Sequence, residues 1–295
     1  MVVFLWVMAY TLLFMSTNGI MKKVQQGIPQ SFPYVVGVNL INSVFGAIAF
    51  YFIGKLHIGV DGYILGYGLI FSLFVSSCII LQLVMYSKVS VALTTLLSTC
   101  GSIITSIVYG IAFLGEPCTW QLVVAAVLLL VAAILPCRKM LSVKSGASAV
   151  VLCIVWFAIW GARAIFQNTF SNDPNLPDTN SMFFFTNTFS IGWCLILFIF
   201  CRVKYGKDEI HNMRKEVFRP KVVLTMAVNT LPSNLVTVVT VILLQLLPLS
   251  VNSIITSSMG LIGTAVLSVF IFREKLSRDN YIALVLAIIA IILKH

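Results

Sequence analysis

The chain has 295 residues, of which 60% are hydrophobic and only 9% are charged, and its formal net charge is +10. A soluble domain usually carries roughly 25% charged residues, so this composition excludes a soluble enzyme, a disordered chain and a disulfide scaffold. Most of the sequence consists of apolar runs of about 20 residues, the length that crosses a bilayer. We therefore expect the basic charge to set orientation in a membrane, with no nucleic-acid partner.

Ten apolar runs follow one another along the chain, each bounded by charges or turn residues. They fall at 2–21, 31–53, 63–86, 90–113, 120–137, 147–168, 181–201, 222–247, 250–272 and 280–293. Runs of helix length favour an all-α integral membrane protein over a barrel of short alternating strands. The longest connection, 202–221, is expected to be a basic loop, and no soluble domain fits between the runs. The first run lacks the flanks of a signal peptide.

Lysine and arginine are distributed very unevenly among the predicted loops. Loops after odd-numbered runs hold sixteen of the nineteen basic residues, whereas loops after even-numbered runs hold only Lys55. Basic residues accumulate on the cytoplasmic side of membrane proteins. The sequence therefore predicts a multi-pass protein of the plasma or inner membrane, with odd loops in the cytoplasm and both termini outside.

Two stretches of the sequence repeat earlier ones. Small or polar residues recur every four positions, and a glutamate follows six positions after the last of them. These residues are Thr94, Ser98, Ser102, Ser106, Gly110 and Glu116 in one copy, and Asn252, Thr256, Gly260, Thr264, Ser268 and Glu274 in the other, 158 residues later. Such stripes let membrane helices pack closely, and the alternative is a hydroxyl-lined cavity wall. Thr119 and Ser277 are predicted N-caps of the helices that follow the glutamates. Trp6 and Tyr10 correspond to Trp156 and Trp160 at an offset of 150.

The repeat has a topological consequence. Because each copy contains five helices, an odd number, the second copy enters the membrane in the opposite sense. The sequence predicts inverted five-helix repeats, 1–140 and 141–295, forming one membrane domain. This architecture is typical of secondary transporters, which bind substrate near the membrane midplane between the repeats.

The two halves also resemble a known family. Each carries a step between its last two helices, Gly115-Glu116-Pro117 and Arg273-Glu274-Lys275. Ten helices with these steps resemble the EamA-like ten-helix branch of the drug/metabolite transporter superfamily, over the whole chain. The resemblance implies transport of small molecules such as amino acids, nucleotide sugars, purines, choline-like cations or drugs. It also implies cytoplasmic termini, whereas the loop charges predict the opposite orientation.

Arg163 is the charged residue that lies well inside a predicted span. Charged residues there are costly and mark functional sites by default. Trp156, Trp160 and Gln167 share its helical face, so a guanidinium framed by aromatic rings could bind a carboxylate or phosphate. In the alternative interpretation, Arg163 extends to the membrane interface and the tryptophans form an interfacial belt.

The acidic and histidine residues fall outside the predicted spans or at their ends. A proton pump would need such a group inside, so we expect a facilitator or exchanger. A cation could instead occupy an aromatic cage of Trp6, Tyr10, Trp156 and Trp160. Other polar residues could line the pathway or join helices: Asn39, Asn42, Gln82, Asn187, Asn229 and Asn234 on either side of Pro232, Asn252 and Thr256.

These features predict a secondary transporter that moves a small polar metabolite, amino-acid-like or otherwise anionic or zwitterionic, by alternating access. The alternatives are a transporter of organic cations or drugs and a flippase for lipids or polyprenyl-linked molecules. An enzyme is not expected, because the spans hold no catalytic set of His, Asp or Glu, and no cofactor or metal is predicted. The expected partners are a small-molecule substrate and membrane lipids, with monomer and homodimer both open.

Overall fold

A computed structural model describes residues 2–29, 31–88, 91–117, 119–141, 146–176, 178–273 and 278–293. These residues form ten α-helices and a short π-helical segment. The helices are α1 (Val2–Gln26), α2 (Phe32–Ile53), α3 (Gly62–Lys88), α4 (Val91–Phe113), α5 (Trp120–Leu141), α6 (Gly146–Ser171), α7 (Thr179–Val217), α8 (Pro220–Leu246), α9 (Leu249–Val266) and α10 (Arg278–Ile292), with the π-helical turn at Leu267–Ile271. Glu274 and Ser277, which the sequence singled out, lie outside the described residues.

The prediction of an all-α membrane protein is confirmed. Eight helices of the described chain are long and apolar enough to cross a membrane, and two shorter apolar stretches, Trp120–Ala132 and Tyr281–Ala290, lie in α5 and α10. Large apolar side chains such as Phe52, Phe113 and Phe270 are exposed, as expected for surfaces that face lipid. That ten helices cross the membrane, two more than these eight, stays a prediction.

Helix α1 is longer than predicted. It continues to Gln26, past the predicted end of the span at residue 21, so Lys22 and Lys23 are helical instead of belonging to a loop. Lys22 is buried, and its Nζ donates a hydrogen bond of 2.7 Å to the carbonyl of Tyr86 near the end of α3. In the sequence, a charged side chain marks the end of an apolar run. Here the Tyr86 carbonyl accepts a hydrogen bond from the Lys22 ammonium, which can therefore be buried within the protein.

The connection predicted as a basic loop at 202–221 is largely helical. Helix α7 extends to Val217 and is interrupted only at Gly206, whose φ of 85° and ψ of 172° redirect the chain. After this break, Met213 and Val217 are buried against Gly37 of α2. Their four-residue spacing gives the segment an apolar face and hence a reason to be helical.

Contacts divide the chain into two compact units. Unit 1 contains Met1–Met15, Lys88–Thr169 and Val239–His295, and unit 2 contains Ser16–Ser87 and Phe170–Val238. Each unit therefore draws residues from both predicted repeats.

Within each unit, helices five apart in chain order pack together. These pairs are α2 with α7 in unit 2, and α4 with α9 and α5 with α10 in unit 1. The Phe50 and Phe183 rings, 5.0 Å apart, join α2 to α7, and the Ser253 hydroxyl donates to the Ser106 hydroxyl at 2.8 Å between α9 and α4. Each pair joins the corresponding helices of the two predicted repeats.

Two further crossings in unit 1 use the same contact with its residues exchanged. A Cβ on Gly161 of α6 would lie 2.4 Å from Thr105 Cγ2 of α4, and a Cβ on Gly263 of α9 would lie 3.4 Å from Thr11 Cγ2 of α1. Under the offsets of 150 and 158, Gly161 corresponds to Thr11 and Thr105 to Gly263. Small residues thus bring these helices close together.

The chain turns alike at the ends of the α4 and α9 segments. Gly115 and Arg273, which are 158 residues apart, both have positive φ, 68° and 52°. A left-handed conformation costs an L-residue about 1 kcal/mol more than glycine. We therefore expect Arg273→Gly to raise the free energy of unfolding by about 1 kcal/mol and Gly115→Ala to lower it by a similar amount. Thermal unfolding in detergent measures both; Arg273→Ala, which removes the charge but keeps the Cβ, should leave stability unchanged.

Candidate functional site

The charged group predicted inside the membrane lies on α6, in unit 1. The Arg163 guanidinium carbon lies 4.7 Å from the centre of the Trp160 ring, close enough for a cation–π interaction. Tyr10 on α1 is buried, and its ring stacks on Phe14 with ring centres 5.5 Å apart. The structure thus brings together two of the predicted site residues, Arg163 and Trp160.

The α6 face that carries Arg163 presents hydrogen-bond donors. Gln167 is buried, and its side-chain nitrogen has no hydrogen-bond partner; the indole nitrogen of Trp160 is likewise buried without one. These residues flank Arg163 at positions −3 and +4, which places all three on one side of the helix. A buried donor without an acceptor costs about 1–3 kcal/mol, so this face is suited to a ligand rich in acceptor oxygens.

Trp156 has a structural role on the same helix. Its side chain is 1% exposed, and its indole nitrogen donates a 2.9 Å hydrogen bond to the carbonyl of Thr94 in α4. Its ring meets Trp160 edge-on at 5.5 Å. Trp156 therefore joins α6 to α4, while Trp6 is half-buried near the start of α1.

Two more predicted residues of unit 1 lie on α9. Thr256 is buried and donates to the carbonyl of Asn252 in its own helix at 2.7 Å. The side-chain oxygen of Asn252 is buried without a partner, so it offers an acceptor on this helix.

In unit 2, two predicted residues join helices. The Asn39 amide of α2 donates to Cys194 Sγ of α7 at 3.2 Å. The Asn187 amide donates to the carbonyl of Phe183 at 2.8 Å, and its side chain packs over Gly46 of α2. The Asn39 bond crosses from α2 to α7, as in the alternative in which asparagines hold membrane helices together, whereas the Asn187 bond stays within α7.

The remaining asparagines of unit 2 are also buried. Asn42 lies on α2, and Asn229 and Asn234 lie on either side of Pro232, through which α8 continues as a helix. The Asn229 oxygen and the Asn234 nitrogen have no hydrogen-bond partner. This part of α8 therefore retains unused polar groups beside a proline that removes one backbone donor.

A second polar cluster of unit 2 contains residues that sequence reasoning missed. Gln82 donates to the Asn18 side-chain oxygen and to the Tyr86 hydroxyl, both at 2.8 Å, and the Tyr86 hydroxyl donates to the same Asn18 oxygen at 2.6 Å. The Lys22 ammonium lies 5.8 Å from the centre of the Tyr86 ring. The available signal was the four-residue spacing within each helix, Asn18 with Lys22 and Gln82 with Tyr86, which places polar groups on one face.

A connection outside the membrane spans supplies a pH-dependent contact. The Tyr67 hydroxyl donates to Asp173 at 2.6 Å and the Asn175 backbone N–H donates at 2.9 Å, and these bonds hold the pKa of Asp173 below its usual range. A lowered pKa in the folded state means that this contact stabilises the protein above the usual Asp range, and that the stabilisation is lost as pH falls through the lowered pKa. We expect acidification to lower the unfolding temperature less in Tyr67→Phe than in the wild type. Equal acid sensitivity of the two proteins would contradict this assignment.

The fold and the residues above define a multi-pass helical membrane protein with a polar face on α6. Twenty-eight chains of known structure are similar to it. One crystal structure matches with a TM-score of 0.62 and 14% sequence identity, over 98% of this chain and 95% of its own. At that identity, the likeness establishes the fold alone. No family model and no curated protein matches the sequence.

Proposed function

We propose that the protein is a secondary transporter that moves a small polar metabolite with an anionic or zwitterionic group, such as an amino acid, across the membrane. The observation that carries this proposal is the donor face of α6: Arg163 stacked on Trp160, with the unpaired nitrogens of Trp160 and Gln167 beside it. A guanidinium and two N–H donors match the oxygen atoms of a carboxylate.

The packing supports alternating access by inverted repeats. Corresponding helices pair in α2–α7, α4–α9 and α5–α10, and the Gly161–Thr105 contact recurs with exchanged residues in α1–α9. Equivalent halves of opposite sense can exchange conformations and thereby open a central site to either side of the membrane. On the resemblance of its sequence, we propose that the chain belongs to the EamA-like drug/metabolite transporter group.

We further propose a facilitator or exchanger. Two described carboxylates lie at or beyond helix ends: Glu116 packs against Gly110 at the end of α4, and Asp173 is bonded to Tyr67 in a connection. The cation alternative is less favoured, because the Arg163 guanidinium lies over the Trp160 ring, where a cationic substrate would meet a like charge.

Transport in sealed liposomes tests the proposal. A thermal-shift screen of the purified protein against amino acids and other small anions identifies the ligand, because a ligand of the folded state raises its stability. The radiolabelled ligand should then show counterflow into proteoliposomes without a pH gradient, and liposomes without protein serve as control. Transport that depends on a pH gradient would exclude a simple facilitator. Movement of labelled lipid without solute uptake would favour the flippase.

We also propose an orientation in the membrane, based on the uneven distribution of basic residues among the loops. We place the segment after the α7 span in the cytoplasm and both termini outside. In a variant whose seven native cysteines are replaced by serine, a cysteine at position 207, an exposed lysine in the wild type, should react with an impermeant reagent only after cells are opened. Labelling of position 207 in intact cells would show that the orientation is the opposite of the one proposed.

A further inference from the structure

The end of α7 forms an amphipathic helix with exposed basic side chains that the proposed transport function does not use. This helix, residues 207–217, follows the break at Gly206 and precedes the span α8. It lies in unit 2, and at 1.5 Å per residue it is about 16 Å long.

Its inner face is fixed to α2. Met213 and Val217 are buried, and a Cβ on Gly37 would lie 3.0 Å from Met213 Sδ and 3.1 Å from a Val217 methyl carbon. Ser31, just before α2, donates to the Glu209 carboxylate at 2.8 Å. The helix therefore cannot present its apolar face to the membrane or to another protein without leaving α2.

The acidic residues of the helix are largely engaged. Glu209 accepts the Ser31 bond, and Glu216 forms an ion pair with Arg219, whereas Asp208 is exposed. The outer face instead carries the exposed bases Lys207, Arg214 and Lys215. Residues 202–217 carry five basic and three acidic side chains, so this surface has a net positive charge once Arg202 and Lys204 are included.

The residues before the helix have the character of a membrane interface. Arg202 and Lys204 are exposed, and the Lys204 ammonium lies 5.8 Å from the Phe200 ring centre and 5.5 Å from that of Tyr205. Lysines that extend along aromatic rings, and tyrosines between apolar and polar surroundings, are typical of the headgroup layer.

We propose that the outer face of helix 207–217, with Arg202 and Lys204, binds anionic phospholipid headgroups. Both ends of this short helix continue into helices of membrane-spanning character, α7 and α8, so it stays within reach of the headgroups. Each basic residue near an anionic membrane surface raises affinity by about fivefold. Because the inner face holds α2, a bound lipid stabilises the packing of α2 against α7.

The test uses the full chain in detergent, titrated with phosphatidylglycerol or with phosphatidylcholine. Native mass spectrometry counts the bound lipid molecules, and thermal unfolding measures the unfolding temperature at each lipid concentration. Phosphatidylglycerol should bind in preference to phosphatidylcholine and raise the unfolding temperature. The triple variant Lys207→Gln/Arg214→Gln/Lys215→Gln should lose roughly a hundredfold in phosphatidylglycerol affinity and lose the temperature shift. All three side chains are exposed, and unfolding without lipid verifies that the variant is folded.

The matched control is Lys23→Gln/Lys88→Gln/Arg278→Gln, which removes the same charge from exposed positions outside this helix. It should keep most of the phosphatidylglycerol affinity. Equal affinity for the two lipids, or an equal loss in both triple variants, would overturn the proposal. So would an RNA or acidic protein that displaces phosphatidylglycerol from the wild type. Solute counterflow in phosphatidylcholine liposomes is measured separately, so failure of the lipid proposal is distinguishable from failure of the transport proposal.

Discussion

Replacing Arg163 by alanine is expected to abolish substrate binding while leaving the protein folded. The guanidinium lies in a membrane-spanning helix, stacked on Trp160, and truncating one member of a buried charged pair costs about 3 kcal/mol, roughly a hundredfold in affinity. Ligand affinity is measured by thermal shift and by titration calorimetry on the ligand found in the screen. Unchanged affinity in folded Arg163→Ala would remove the anion site from the proposal.

Three further variants separate charge, geometry and hydrogen bonding at this face. Arg163→Lys keeps the charge but loses the planar fork, so a loss of about tenfold is expected. Trp160→Phe keeps a ring for stacking but removes the unpaired indole N–H, and should also lower affinity by about tenfold. Trp156→Phe is the matched control: its N–H donates to Thr94, so its loss should lower stability and leave affinity unchanged.

Hydropathy predicted the membrane helices well because it measures the transfer of one segment into lipid, which depends on that segment alone. It misplaced the end of α1, where Lys22 remains inside through its bond to the Tyr86 carbonyl, 64 residues away. It also read 202–221 as a loop, since the apolar residues Met213 and Val217 are too few to form a membrane run. Their burial depends on α2, which lies elsewhere in the sequence.

The candidate site was predictable only in part, because the partners of its polar atoms also lie on other helices. Helical spacing correctly placed Trp160, Arg163 and Gln167 on one face of α6. Sequence could not distinguish Asn39, whose amide bonds Cys194 across a helix pair, from Gln167, whose nitrogen stays unpaired. That distinction depends on which atoms the neighbouring helices bring within hydrogen-bond distance.

The crossing of α6 with α4 predicts the largest stability effect. A Cβ on Gly161 would lie 2.4 Å from Thr105 Cγ2, and Thr105 is itself held by a 2.6 Å bond from its hydroxyl to the carbonyl of Gly101. A methyl group there cannot be accommodated without moving the helices, so Gly161→Ala should lower the free energy of unfolding by about 3 kcal/mol. The same substitution at Gly192, where no atom lies within 4 Å, should raise it by up to about 1 kcal/mol.

A second-site change tests the cause of this effect. Thr105→Ala removes the clashing methyl and leaves its Cβ 3.0 Å from the new one, so it should restore part of the stability lost in Gly161→Ala. Because Gly161 is two residues from Arg163, Gly161→Ala should also lower ligand affinity, and the added Thr105→Ala should restore part of it. At the corresponding crossing, a Cβ on Gly263 would lie 2.6 Å from Met15 Cγ and Sδ, atoms of a flexible side chain, so Gly263→Ala should cost less, about 1 kcal/mol. Equal losses at Gly161, Gly192 and Gly263 would show that helix propensity, and not this close contact, decides the outcome.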